Sequence, residues 1–126
     1  LLVGSDIPEL TESLLSEAFS SLENHHAVIG PAVDGGYYLI GFVKNSLFKE
    51  AFTDIAWSRS DVFEKTVKRL NECLGSVSVL ERIPDIDTFE DLLRLADRLA
   101  SGATNGAKPP PNLFHTRKVL RKMGLI

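Results

Sequence analysis

The sequence predicts an α/β protein, a three-layer α/β/α sandwich around a mixed but mostly parallel sheet. Three observations lead to this. Short apolar runs ("LLVG", "AVIGP", "YYLIGFV" and "SVSVLE") alternate along the chain with stretches of helical periodicity, and that alternation favours parallel strands with helices packed on their faces. The first run does not alternate with polar residues, as expected of a strand covered on both faces. A chain of 126 residues with 44% hydrophobic content holds enough apolar material for one core and little more.

The elements follow in order. Residues 1–4 form the first strand, and Gly4, Ser5, Asp6 and Pro8 turn the chain out of it. In "LTESLLSEAFSSLEN", Leu14, Leu15, Ala18, Phe19 and Leu22 recur at helical spacing behind Thr11, a residue suited to cap the helix. "AVIGP" and "YYLIGFV" are strands joined by "AVDGG", whose glycines permit positive φ. A short helix in "SLFKEAF" leads through "DIAWSRS" to Ser60, the expected cap of "DVFEKTVKRLNECL". The inner face of that helix is Val62, Phe63, Val67, Leu70 and Leu74, with Cys73 also placed inward as a small core residue, and Gly75 is its stop. "SVSVLE" is an alternating strand that ends near Pro84. The helix "DTFEDLLRLADRLA" then ends at Gly102, with Asp87 at the N-cap and Glu90 three residues on as a capping box. Residues 102–111 read as a Pro/Gly-rich linker. A basic amphipathic helix over 112–126 follows, capped by Asn112 and stopped at Gly124. The expected organisation is therefore a domain over 1–101, the linker, and the last helix.

Composition excludes several classes. A net charge of −3 and a pI near 5.6 leave no broad basic surface, so nucleic acid is not expected as a partner. The single cysteine cannot form an internal disulfide, and no Cys/His zinc spacing occurs. No apolar run approaches the roughly 20 residues of a membrane span, and no charged leader precedes an apolar core at the N-terminus. A cytoplasmic location is the expectation. The chain begins inside a strand and without methionine, so an N-terminal portion is expected to precede it. There is no Walker loop, G-x-G-x-x-G, G-x-S-x-G or H-E-x-x-H.

What remains is a set of carboxylates at strand ends: Asp6, Asp34, Asp85 and Asp87. Mg2+ and Mn2+ take hard oxygen ligands, often one or two protein carboxylates with phosphate oxygens and water. Two aspartates from separate strand ends suit that role, and the competing role of each is structural. Asp6 fits a turn as well as a metal, Asp87 fits a helix cap, and Asp85 is a fallback ligand. Gly35 and Gly36 fit a hairpin turn as well as a substrate contact. Asp34 is a candidate general base toward an acceptor hydroxyl, with an exposed turn residue as its alternative. His25 and His26 lack ligand spacing and read as surface residues. Arg117, Lys118, Arg121 and Lys122 form a solvated basic face, with phosphate or partner contact as the second reading.

"LVGSDIPELT", "AVIGPAVDGGYYLIGF", "IAWSRSDVFEKT" and "PDIDTFEDL", in this order, resemble a bacterial family of uncharacterised glycosyltransferases related to the molybdenum-cofactor guanylyltransferases. That family lies within the nucleotide-diphospho-sugar transferase superfamily, of glycosyltransferase-A (GT-A) fold. The resemblance runs from Leu1 to about Leu99. It implies that Asp6 coordinates the metal bridging the donor's phosphates and that Asp87 supplies a second ligand. It also implies that Gly35, Gly36 and Tyr37 face the sugar or acceptor, and it leaves Trp57 and Ser58 without a role. Relatives carry an earlier strand and a basic, glycine-containing loop that grips the nucleotide. Neither is in this segment, which is expected to bind a nucleotide poorly without them.

The function expected is a metal-dependent, glycosyltransferase-like enzyme using Mg2+ or Mn2+ and a nucleotide-sugar donor, with an acceptor that the sequence does not specify. The alternatives are nucleotidyl transfer from a nucleoside triphosphate with release of pyrophosphate, and a non-catalytic remnant acting as a binding domain.

Overall fold

In the computed structural model, residues 1–47, 49–53, 60–101 and 113–126 are described. The most continuous apolar sequence forms the two central strands, β2 (Ala27–Pro31) and β3 (Tyr37–Phe42). The five residues between them are too few for a crossover, so the two strands pair antiparallel as a hairpin. The short strand β1 (Leu2–Val3) lies antiparallel to β3, and β4 (Val77–Val79) lies parallel to β2, giving the order β1-β3-β2-β4. Consequently β1, β2 and β4 run in one direction and β3 alone runs against them. The mixed α/β architecture is the one the sequence predicts.

Helices cover both faces. Helix α1 (Glu12–Ser21) lays Leu14 and Ala18 on the face that carries Val28, Tyr38 and Leu39. Helix α2 (Val62–Leu74) lays Leu70 on the opposite face, against Ala27, Ile29 and Ile40. A third cluster joins α3 (Phe89–Ser101) to α4 (Phe114–Lys122) through Leu95, Ala96, Leu99, Leu113 and Leu120. A 3₁₀ turn at Lys49–Phe52 stands before α2. Among the described residues no helix is long and apolar enough to cross a membrane.

A bulge fixes how the central hairpin packs. The pairing steps from Gly30↔Leu39 to Pro31↔Tyr37, which leaves Tyr38 as the extra residue. Tyr38 and Leu39 therefore both contribute to the α1 face. Gly30 makes room for the ring: a Cβ there would sit 2.4 Å from Tyr38 Cζ. The Tyr38 hydroxyl donates to the Glu81 carbonyl at 3.0 Å, tying β3 to the segment that follows β4.

Several local expectations shift. Thr11 caps α1 as expected, its hydroxyl accepting from the Leu14 N–H at 3.1 Å. Gly75 stops α2 in the left-handed region at φ 72°. Helix α2, however, starts at Val62 with Asp61 in the cap position and no side-chain cap; Ser60 does not serve. The Phe63 N–H is met by the Gly35 carbonyl instead, at 2.9 Å, and Asp61 pairs with Lys65 at 2.6 Å. Thr66 takes the buried centre of the inner face, whereas Cys73, on the shoulder of the stripe in the last turn, is exposed. Phe19 lies on the flank of α1 for the same angular reason and is also exposed. The α3 capping box sits one residue later than expected: Thr88 accepts from the Asp91 N–H at 3.2 Å, and the Thr88 N–H donates to Asp91 Oδ2 at 2.9 Å. Leu113 stands at the start of α4 without a side-chain cap, while Gly124 turns with φ 71° at its end. The linker 102–111, Asn112, Trp57 and Ser58 lie outside the described residues.

Candidate functional site

Because β1, β2 and β4 share a direction, the segments leaving them emerge at one edge of the sheet, the carboxyl edge where ligands of α/β sheets collect. Asp6 leaves β1, Asp34 leaves β2, and Asp85 and Asp87 follow the stretch that continues from β4. That stretch stays beside β2 after the strand ends. The Leu80 N–H donates to the Ile29 carbonyl at 2.9 Å, the Ile83 N–H to the Pro31 carbonyl at 3.2 Å, and Ala32 and Ile83 form a parallel bridge. One residue past Asp85, the Ile86 N–H donates to the Asp6 carbonyl at 3.0 Å. The backbone thus clamps the loop after β1 to the loop before α3.

The clamp gathers the four acids. Carboxylate oxygens of Asp34, Asp85 and Asp87 lie within 4.8 Å of one another, and the Asp6 carboxylate is near enough to raise both Asp85 and Asp87. Ionised carboxylates are acceptors only, so like charges at this spacing favour a proton or a cation among them. The Asp87 carboxyl, on an exposed residue, is held above the usual carboxylate range by partial desolvation first, then by the neighbouring Asp6 carboxyl and the charges of Asp34 and Asp91. Asp85 is raised by burial and by the charges of Asp34, Asp87 and Asp6. Neighbouring Asp91 moves the other way, lowered by the Thr88 hydroxyl and N–H that it accepts. The cap belongs to Thr88 and Asp91, which leaves the Asp87 carboxyl to the cluster.

Asp34 also performs its turn role, Oδ1 accepting the Gly36 N–H at 2.8 Å. Gly35 is required by the packing of this loop on α2: its φ is +98°, and a Cβ would lie 2.0 Å from the Ser60 carbonyl oxygen. The Tyr37 side chain packs into the core facing α2, and burial raises its phenol. The structure therefore brings Asp6, Asp34 and Asp87 together with the fallback residue Asp85. Gly35 and Gly36 stand on the same loop, and Tyr37 turns to the core. His25 uses Nδ1 on the Ser21 carbonyl at 3.0 Å. The donor set is all carboxylate oxygen, which fits a hard divalent cation such as Mg2+ or Mn2+.

Two supports of the site went unread in the sequence. Thr88 with Asp91 matches the S/T-x-x-acid signature as well as Asp87 with Glu90 matches its own, and could have been found. The ion pair of Glu9 with Arg98, at 2.6 Å and half-buried, ties the loop after Asp6 to α3 across 89 positions and leaves no local signal.

Comparison with known proteins bears on this arrangement. Residues 1–59 match the family described as "Uncharacterized protein conserved in bacteria (DUF2064)". The fold is similar to the crystal structure of a "putative nucleotide-diphospho-sugar transferase" from Desulfovibrio desulfuricans G20, with 35% identity and a TM-score of 0.74. The alignment covers 96% of this chain and 52% of that one, so the chain spans about half the length of that relative. No curated protein matches the chain. The structural likeness is consistent with a GT-A-like fold.

Proposed function

We propose that this chain supplies the metal-holding part of the donor site in a glycosyltransferase-like enzyme that uses a nucleotide-diphospho-sugar. Asp6 and Asp87 would hold Mg2+ or Mn2+, with Asp85 alongside. The observation that carries the reading is the convergence of the Asp34, Asp85 and Asp87 carboxylates, with Asp6 close enough to act on two of them, at the carboxyl edge of the sheet. The metal, when bound, supplies neutralisation of the charge that develops on a departing diphosphate. Asp34, oriented through the Gly36 N–H, is the candidate to take the proton of an acceptor hydroxyl. Gly35 and Gly36 would let a sugar or acceptor approach backbone, with Tyr37 behind them. The 35% identity to a relative described in nucleotide-sugar terms supports the donor class. The single cysteine suits a reducing, cytoplasmic setting.

Nucleotidyl transfer of the kind performed by molybdenum-cofactor guanylyltransferases would use the same metal arrangement and differ on the acceptor side. The full-length protein incubated with Mn2+ and a panel of nucleotide sugars and nucleoside triphosphates separates the cases. Release of nucleoside diphosphate is the expected result. Release of pyrophosphate would replace the glycosyl reading with the nucleotidyl one. Turnover of neither, with Mn2+ binding intact, would make the domain a binding module.

A further inference from the structure

The basic residues of this chain are distributed in two unlike ways. Along α2 and α3 most are neutralised nearby, Lys65 by Asp61, Lys68 by Glu72, Arg94 by Glu90 and Asp91, and Arg98 by Glu9, while Arg69 donates to the Glu50 and Thr53 carbonyls. Helix α4 contains no acidic residue. Its four cations, Arg117, Lys118, Arg121 and Lys122, take part in none of the ion pairs found among the described residues. The rest of the chain sets ten basic residues against all seventeen acidic ones. Positive charge is therefore densest, and unopposed by any acid of the same helix, on the two-turn patch of α4.

The patch also has an apolar centre. At 100° per residue, Phe114, Lys118, Arg121, Arg117 and Lys122 fall on one side of α4, with Phe114 in the middle of the four cations. Together they border an open groove of about 470 Å3. Phe114 is 66% exposed, and Val119, the next position round the helix past Lys122, is 54% exposed. Leu113 and Leu120 anchor the opposite side in the fully buried core shared with α3, so the charged side is presented outward on a fixed support.

From this juxtaposition we infer that α4 is a peripheral docking surface for an anionic phospholipid bilayer, its cations meeting headgroup phosphates while Phe114 enters the interface. Charge complementarity and an exposed aromatic within a cationic ring are the pairing that interfacial helices use. A bilayer asks only for one flat, one-helix contact. A nucleic acid would extend past α4 along a surface whose remaining charge is acidic, and would be repelled there. An acidic protein segment would satisfy the cations and leave Phe114 in water. The inference is independent of the transferase reading.

Sedimentation with vesicles of phosphatidylcholine alone, and of equal parts phosphatidylcholine and phosphatidylglycerol, tests it. The chain is expected to partition onto the anionic vesicles only, and less so as salt rises. Each lost cation should weaken partitioning about fivefold, so the Lys118→Glu/Arg121→Glu double variant should lose it by at least about 25-fold with an unchanged circular dichroism spectrum. Phe114→Ser should weaken it severalfold while keeping the salt dependence. No partitioning of the wild type, or an undiminished double variant, would overturn the proposal. Wild-type partitioning that Phe114→Ser leaves unchanged would reduce the patch to a general polyanion site and overturn the bilayer assignment, as would tighter retention on heparin or polyglutamate than on the anionic vesicles.

Discussion

A carboxylate has lone pairs to offer and no hydrogen, and that limit governs Asp34, Asp85 and Asp87, whose oxygens lie within 4.8 Å of one another. With Asp6 near them, four like charges share one edge of the sheet. Asp85 and Asp87 are both raised in the folded state. The stability such groups contribute is full below their unfolded pKa and is lost as pH rises through the folded one, so at neutral pH the metal-free cluster opposes folding. Solvent screens much of this repulsion. Asp87→Asn is therefore expected to stabilise the metal-free chain at pH 7 by no more than about 1 kcal/mol, and to show no gain near pH 3; thermal unfolding at the two pH values checks this. Glycines give a second residue-scale contrast. Gly75, at φ 72°, has open space where a Cβ would stand, whereas a Cβ on Gly35 would run into the Ser60 carbonyl. Gly75→Ala should cost about 1–2 kcal/mol of backbone strain alone, and Gly35→Ala more than that, with loss of the Asp34 turn; urea titration separates them. Asp6 and Asp87 were legible in the sequence as residue types at expected strand and helix ends. Asp85 was legible only as a fallback ligand, because whether one, two or three of the acids in "PDID" and "VDGG" face inward depends on backbone direction in loops.

Elements were easier to read than their ends. The helices α1, α2 and α3 stand where apolar spacing put them, because a stripe three and four residues apart has one good solution against a sheet. Caps are decided by single hydrogen bonds between near-equivalent neighbours, and at α3 the cap falls one residue beyond the position its local pattern suggests. Thr88 displaces Asp87 because its hydroxyl and N–H both close onto Asp91, while the Asp87 carboxyl lies with those of Asp34 and Asp85. Thr88→Ala should cost about 1 kcal/mol in thermal unfolding and return Asp91 toward the ordinary carboxylate range, a change readable by NMR titration. At α2 the expected Ser60 cap gives way to the carbonyl of Gly35, which comes from the β2–β3 loop and is invisible to a local pattern. The strand bulge at Tyr38 is of the same kind: "YYLIGF" alternates too little to announce which tyrosine is extra, and the absence of a side chain at Gly30 decides it.

At the scale of the molecule, the arrangement follows from direction. Three strands pointing one way, with β3 running against them, deliver acids from distant parts of the sequence to one edge. The Glu9–Arg98 pair then holds the loop that bears Asp6 against α3, and Arg98→Ala should lower stability by roughly 1–2 kcal/mol in urea titration. The alternation of strands and helices announced this layered plan, while the contacts that lock its loops span too much sequence to be read locally. The central claim is that the four-aspartate group holds a divalent cation through Asp6 and Asp87, and calorimetric titration with Mn2+ at neutral pH tests it most directly. The account predicts one saturable site, weakened at least about tenfold, some 1.4 kcal/mol, in both Asp6→Asn and Asp87→Asn with folding preserved. Equal Mn2+ affinity in the wild type and both variants, or no binding by the wild type, would contradict it.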